Sequence, residues 1–352
     1  MHKTSPFFSI VIPTYNRARY LRGTVNILRR QTFKDFEIIV SDNHSTDETQ
    51  KMMQTVTDSR LHYFRNARNI GLPDNLYSAL QHAAGEYVVT LGDDDFLPFD
   101  DSLEKLHAIL ETVKPGFLRM NWIEKSLGED TLEKKLLHIH RDIHVSENSL
   151  PFSIIKFIFT VNFGGLAGLV FKNTKYLQNR MLHTENGAWF SIVYDSVLKY
   201  GGYFAAGMYV IVHWSLPDYR VNDSYESYMV AHGRLNVEPV LNACMRKVSR
   251  DEKPVIRKYI LSQSVRNLLA LKLYTSNRNC RRSIRRLLVL EPSFIFDPGF
   301  WGLSLFSLLI PKDVLVAVRQ FHHSVADEFT LISGHRGILQ RYLYLKKKYY
   351  RT

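Results

Sequence analysis

The stretch GEYVVTLGDDDFLPFDDS, Gly85–Ser102, runs a buried-strand pattern straight into three consecutive carboxylates. Its first half is a continuous apolar run rich in β-branched residues, the pattern of a parallel strand covered on both faces. Its second half sets Asp93, Asp94 and Asp95 at that strand's end. Like charges so placed repel one another and resist desolvation unless a cation neutralises them. A hard divalent ion with oxygen ligands, Mn2+ or Mg2+, does so and keeps positions open for substrate phosphates. A solvated acidic turn is the competing reading, because Asp is common in turns.

The preceding residues repeat the pattern. Phe7–Pro13 (FFSIVIP) and Phe36–Asp42 (FEIIVSD) are further apolar strands, and LHYFRN at residues 61–66 is a shorter one. Between them lie helical segments. Leu21, Val25 and Leu28 recur at helical spacing. Ser45, three residues ahead of Glu48, reads as a capping box that starts a helix. Leu76, Ala79, Leu80 and Ala83 share one face, with Asp74 as N-cap and Gly85 as stop. This alternation predicts a mostly parallel α/β sheet flanked by helices. Ligands of such sheets bind beyond the carboxyl ends of the strands. Three polar motifs stand there: PTYNR (Pro13, Thr14, Tyr15, Asn16, Arg17), SDNHSTD from Ser41 with Asp42 at its head, and GDDD. Neither G-x-G-x-x-G nor G-x-x-x-x-G-K-[ST] is present, so a metal-bridged diphosphate is the natural way to hold phosphates here.

Beyond Asp101 the pattern loosens. Helices are expected over DSLEKLHAILETV and AWFSIVYDSVLKY, the latter ending at Gly201. Strands are expected over FLRMNWIE, GGLAGLVFK and YFAAGMYVIVHW, and residues 125–150 read as irregular. From about Tyr225 the chain reads as helical and basic. The net charge of +12 belongs to that part: residues 1–245 carry 25 Lys+Arg against 27 Asp+Glu, and residues 246–352 carry 21 against 7. Such a segment suits an anionic membrane, a phosphorylated substrate or nucleic acid, or is simply a basic surface. PGFWGLSLFSLLIP, Pro298–Pro311, is too short for the roughly 30 Å of a bilayer core. With RNCRRSIRRLL before it and LKKKYYRT at the end, it fits interfacial membrane binding, and it equally fits a buried core helix. Two cysteines, Cys244 and Cys280, and a start without a cleavable leader point to the cytoplasm.

Taken together, SIVIPTYNR, EIIVSDNHSTDET, RNIGLPDN and GEYVVTLGDDD resemble the nucleotide-binding half of family 2 glycosyltransferases of the GT-A fold, including abequosyltransferase-like enzymes of bacterial O-antigen and capsule synthesis. The resemblance covers residues 7–100, and more weakly reaches about residue 215. It implies an inverting, metal-dependent transfer from a nucleotide-diphospho-sugar to a glycan or polyprenyl-diphosphate-linked acceptor. Asp42 matches the residue that contacts the base, and Asn69, Gly71 and Asn75 fall in the third motif. Asp94 aligns with the metal ligand, flanked by Asp93 and Asp95. Two departures stand out. Gly92 replaces the first acid of the usual L-D-x-D-D, and LPDN replaces the usual A-R-N, leaving Arg17, Arg65 or Arg68, or no residue at all, to supply that positive charge. Residues 1–220 then form the glycosyltransferase domain, with a nucleotide-sugar half to residue 100 and an acceptor half after it. Residues 221–352 form a basic helical region.

An inverting transfer needs a base for the acceptor hydroxyl. Relatives carry it in an E-D motif ahead of an acceptor-side helix. No such pair stands here, and Glu185, then Asp195, are the candidates by position, with Asp218 and Asp223 behind them. A nucleotidyltransferase is the alternative class, but its glycine-rich basic loop is missing from PTYNRARY. A nucleic-acid-binding protein would leave the acidic cluster unexplained. The expected localisation is cytoplasmic, peripheral at the inner face of the cell membrane, with no nucleic-acid partner.

Overall fold

The structure is a computed structural model and describes residues 5–126, 134–135, 141–161, 166–174, 188–214, 238–245, 248–266, 268, 272, 277–311 and 313–315. Four strands and three helices alternate through the first ninety or so residues: β1 (Phe8–Thr14), α1 (Ala18–Arg29), β2 (Phe36–Asp42), α2 (Thr49–Gln54), β3 (Leu61–Arg65), α3 (Leu72–Gln81) and β4 (Tyr87–Thr90). Every residue of β1 and β4 is buried, as the continuous apolar runs require of strands covered on both faces. β3 is only half-buried, because it forms an edge of the sheet.

The second part adds α4 (Ser102–Val113), β5 (Phe117–Ser126), β6 (Lys134–Lys135), β7 (Ile143–Val145), α5 (Pro151–Thr160), β8 (Leu169–Lys172), α6 (Ala188–Tyr200) and β9 (Gly202–Trp214). The strand order is β3-β2-β1-β4-β8-β5-β9-β7, with β6 paired to β5. β1 to β4, β5 and β9 share one direction; β6, β7 and β8 oppose it. The chain steps outward from β1 to β2 and β3, then returns to place β4 on the other side of β1. That reversal makes the β1/β4 boundary the switch point of the sheet, where a crevice opens beyond the strand ends. A core of Phe8, Ile10, Ile12, Leu21, Val25, Leu28, Ile38, Val40 and Val89 packs α1 and α4 onto the sheet.

Contacts divide the chain into two units: Met1–His183 with Ile192–Trp214 and Ser333–Thr352, and Thr184–Ser191 with Ser215–Ile332. The described part of the second holds α7 (Glu238–Met245), α8 (Lys253–Arg266), α9 (Asn277–Leu290), a 3-10 turn (Pro292–Phe296) and α10 (Pro298–Leu309). Among the described residues no helix is long and apolar enough to cross a membrane.

Several local expectations shift. Ser45 does not cap α2. It belongs to the β2 loop, and Asp47 Oδ1 accepts the Thr49 amide instead, at 3.0 Å. Asp74 lies inside the first turn of α3, and Gly71 is the N-cap. Gly85 does not end α3, which closes at His82. Its role is close approach: a Cβ there would lie 2.6 Å from the Ser9 amide nitrogen of β1. Within residues 125–150, read as irregular, the end of β5, the short β6 and β7 are strands.

Candidate functional site

The aspartate loop leaves β4 at the switch point. Two threonines pin it to neighbouring elements. Thr14, the last residue of β1, donates its hydroxyl to Asp93 Oδ2 at 2.7 Å. Thr24, buried on α1, sets its hydroxyl 2.9 Å from the Asp93 carbonyl and 3.0 Å from that of Asp95. The loop also closes on itself: the Gly92 amide donates to Asp95 Oδ2 at 2.8 Å. A Cβ at position 92 would lie 2.5 Å from that same oxygen. The glycine therefore lets the Asp95 carboxylate fold back over the backbone.

All three aspartates are buried, at most 9% exposed. Arg17, the N-cap of α1, covers two of them. Its Nε lies 2.8 Å from Asp93 Oδ1, and its terminal nitrogen pairs with Asp94 Oδ2. Burial pushes the Asp93 carboxyl up to about 7, against the pull of the Arg17 charge and with a further push from Asp94. A buried cation feels the charge of the third carboxylate. Arg119 of β5 is fully buried, donates to the Ala167 carbonyl and lies 4.1 Å from the Trp122 ring centroid. Burial holds its pKa well below the ordinary guanidinium value, and the Asp95 charge opposes that shift. Among the described residues, Arg119 Nε and its second terminal nitrogen have no hydrogen-bond partner.

The Asp42 loop lies beside the aspartate loop's anchor, at the carboxyl end of β2. Thr14 and Asp42 are register partners in β1 and β2, which brings the first two motifs side by side. Asn16 and His44 both adopt left-handed backbone, with φ of 54° and 66°. Such a conformation costs a non-glycine residue about 1–2 kcal/mol. Cross-loop bonds offset that cost: the Asn16 amide donates to Ser45 Oγ at 2.8 Å, and the Thr46 amide donates to Asn16 Oδ1 at 2.7 Å. Asp42 itself is fully buried. Its Oδ1 accepts the Ser45 amide at 2.9 Å, its Oδ2 accepts the Tyr63 hydroxyl at 2.5 Å, and Arg65 Nε stands 3.7 Å away. Burial and this bond raise the Tyr63 hydroxyl above its usual range.

An amide network extends the site into the third motif. Asn43 Nδ2 donates to Asn69 Oδ1 at 2.6 Å, and the Ile70 amide donates to Asn43 Oδ1 at 2.8 Å. Asn75 is buried; it donates to the Ser41 carbonyl at 2.9 Å and accepts the Ser41 hydroxyl at 2.8 Å.

Residues 9–171 match the family described as Glycosyl transferase family 2. These residues form a family 2 glycosyltransferase domain. The abequosyltransferase RfbV of Salmonella typhimurium is 38% identical over 152 residues, covering 40% of this chain and 44% of its own length. The GalNAc(5)-diNAcBac-PP-undecaprenol beta-1,3-glucosyltransferase of Campylobacter jejuni is 40% identical over 95 residues, 26% of this chain and 31% of that enzyme. The chain thus spans less than half the length of either relative. Among solved structures, S. aureus TarS 1-349 in complex with UDP-GlcNAc superposes with a TM-score of 0.60 at 18% identity, over 89% of this chain and 91% of that one. The shared fold is of the GT-A type.

In the glycosyltransferase domain the expected site residues fall into three groups. Pro13, Thr14, Asn16, Arg17, Asp42, Asp93, Asp94 and Asp95 gather at the carboxyl ends of β1, β2 and β4, with Tyr15 exposed beside them. Asn69, Gly71 and Asn75 join through the amide network, Asn75 as a buried strut. Asp195 is buried in α6, beside Ser196, which donates to the Gly116 carbonyl at the amino end of β5. Glu185, Asp218 and Asp223 lie outside the described residues. Of the candidate cations, Arg17 is at the aspartates, Arg65 bonds the Ser45 carbonyl at 3.0 Å, and Arg68 is exposed.

Thr24, Tyr63, Asn43 and Arg119 escaped the sequence reading. A threonine on the apolar face of a helix and an arginine inside a strand pattern were the available signals for two of them.

Among the described residues no group of three His, Cys, Asp or Glu side chains is arranged to hold a metal ion. The donors at the loop are carboxylate oxygens alone, which suit a hard divalent cation that takes its remaining ligands from a phosphorylated substrate. Arg17 puts a positive charge on two of those carboxylates.

Proposed function

We propose that the chain transfers a sugar, with inversion, from a nucleotide-diphospho-sugar to a hydroxyl of a glycan carried on a polyprenyl diphosphate, as part of bacterial surface-polysaccharide synthesis. The observation that carries this reading is the convergence of Asp42 and the Asp93–Asp95 loop at the switch point of a family 2 glycosyltransferase domain. The Campylobacter relative, named for an undecaprenyl-diphosphate substrate, supports the acceptor class.

In this reading the crevice beside β2 takes the nucleoside, and Asp42 positions its wall by holding Ser45 and Tyr63. The Asp93–Asp95 loop takes the diphosphate end. Asp94, with Asp93 and Asp95 beside it, would hold Mn2+ or Mg2+, and the ion would supply positive charge at the departing diphosphate. Arg17 gives the same loop a cation of its own and stands next to the leaving group. Thr14 and Thr24 fix the loop so that no reorganisation accompanies charge development. Glu185 takes the proton from the acceptor hydroxyl, with Asp195 as the second candidate for that role. The GT-A domain spans residues 1–220, and the helical region after it places the enzyme at the inner face of the cell membrane.

A thermal-shift screen of UDP-, GDP- and dTDP-sugars, with and without Mn2+, tests the nucleotide assignment. The matching donor raises the melting temperature, and more so with the metal, because a ligand that binds only the folded state stabilises it. Asp94→Ala lowers transfer by about 10²–10³-fold while leaving the fold intact. Glu185→Gln lowers turnover without weakening donor binding. Full activity in Asp94→Ala, or no response to any nucleotide-sugar, sinks the reading.

A further inference from the structure

The helical region contains a helix turned inside out. α10, PGFWGLSLFSLL, has no charged residue. Its buried positions are Phe300, Ser304 and Ser307, so the inward face beyond its first turn is polar. Ser307 Oγ donates to the Ser304 carbonyl at 2.7 Å. The outward face carries Trp301, Leu305, Phe306 and Leu309, at i, i+4, i+5 and i+8. Leu309 is 77% exposed, and on the preceding turn Ile295 and Phe296 are exposed too, Phe296 by 87%. The Trp301 indole N–H donates to the Ile295 carbonyl at 2.9 Å, so the ring's one polar atom is satisfied internally and the remainder is apolar surface. Apolar faces of this kind mark a partner, because water gains nothing from them.

Charge says which partner. α9 buries Cys280, Ile284 and Leu287 and exposes Arg278, Arg281, Arg282, Arg285 and Arg286. Arg278, Arg282 and Arg285 share one stripe at i, i+4 and i+7, and the exposed Val289 continues it at i+11. The basic stripe therefore ends on an apolar residue three positions before the turn that bears Ile295 and Phe296. Between residues 277 and 310 stand five arginines and two acids, and one of those acids, Asp297, is engaged as the N-cap of α10. A second copy docked here would bring two arginine sets together. A nucleic acid would take the arginines and leave the apolar face wet. An anionic bilayer surface takes both, apolar side chains at the acyl boundary and guanidinium groups at the headgroups.

We propose that Val289, Ile295, Phe296 and the Trp301–Leu309 face of α10, together with the α9 arginines, form a monotopic docking surface for an anionic membrane. The helix lies on the bilayer; at twelve residues it is about 18 Å long, too short to span it. This deepens the lipid-linked acceptor reading and rests on it for its purpose alone, since none of its observations involves the sugar site.

The test sediments the full chain with vesicles of phosphatidylcholine, alone or mixed with phosphatidylglycerol. The chain binds the mixed vesicles, and salt weakens the binding. The pair Leu305→Ser with Leu309→Ser loses about ten-fold in partitioning, and the single variant Phe296→Ser loses less. Arg281→Gln with Arg285→Gln loses most of the salt-sensitive part. Unchanged melting curves and an unchanged thermal shift with UDP or GDP and Mn2+ show that the variants are folded. Serine variants that bind like the unaltered chain overturn the proposal. So does a chain that ignores vesicles and self-associates in light scattering through the same leucines. Vesicle binding with no response to any nucleotide-sugar would leave this surface standing and sink the transferase reading alone.

Discussion

The aspartate loop and the outer face of α10 break the same rule in opposite directions. The loop puts three carboxylates inside the protein; the helix puts Trp301, Leu305, Phe306 and Leu309 outside it and turns two serines inward. The loop has partners for its buried polar groups in Thr14, Arg17, Thr24 and the Gly92 amide. The exposed helix face has no such set within the described part of its unit. Local rules that fail while the surrounding sequence obeys them mark places where function was favoured over stability. The loop's exception is a built interior site. The helix's exception is a surface made for a neighbour.

The contrast breaks most severely at Arg119. It is a fully buried guanidinium that feels the Asp95 charge, donates to the Ala167 carbonyl and stands over the Trp122 ring. Arg119→Ala is expected to cost about 3–5 kcal/mol of unfolding free energy, read by urea denaturation. Arg119→Met, which keeps an unbranched apolar stem in the buried site, loses less. A stability unchanged in both would remove Arg119 from the support of the loop. Tyr63→Phe comes next. It withdraws a donor from the fully buried Asp42 and is expected to cost about 1.5–3 kcal/mol. Its second readout is nucleotide affinity, which falls as Asp42 and the Ser45 turn lose their fixed position.

Much of this was legible in the chain. The apolar runs of β1, β2 and β4 announce strands covered on both faces, and a parallel sheet puts the residues after them on one edge. Asp42 and Asp93–Asp95 are thus locatable by counting. What escaped depends on contacts across the sequence. Gly85 looks like a helix stop and is instead the point where β1 passes too close for a side chain. Gly71, not Asp74, caps α3, because its φ of 82° lets the chain turn in before the helix. α5, PFSIIKFIFT, is apolar on most sides, so its periodicity does not separate helix from strand. Arg119 reads as one charge in a strand until the fold sets Asp95 near it. Pro298–Pro311 left core and membrane readings equal, because an apolar segment does not say which of its faces is covered; the buried serines do.

The smallest expected effect sharpens the contrast most. If the exposed face of α10 does no work inside the chain, polar residues there change folding stability by no more than about 0.5 kcal/mol. Leu309→Ser and Phe296→Ser in urea denaturation check this, since both side chains are more than three-quarters exposed. The comparison needs a variant in the same helix that does matter. Asp297→Ala supplies it: Asp297 Oδ1 accepts the Phe300 amide at 3.0 Å, and losing that cap costs about 1 kcal/mol. A larger loss from Leu309→Ser than from Asp297→Ala would mean that the leucine packs against this chain in solution. The apolar face would then be a piece of core, and the symmetry between the two exceptions would be gone. Near-zero cost at Leu309 and Phe296 beside a measurable cost at Asp297 leaves a helix whose fold is fixed by its cap and inward face, with its outward face free to meet a membrane.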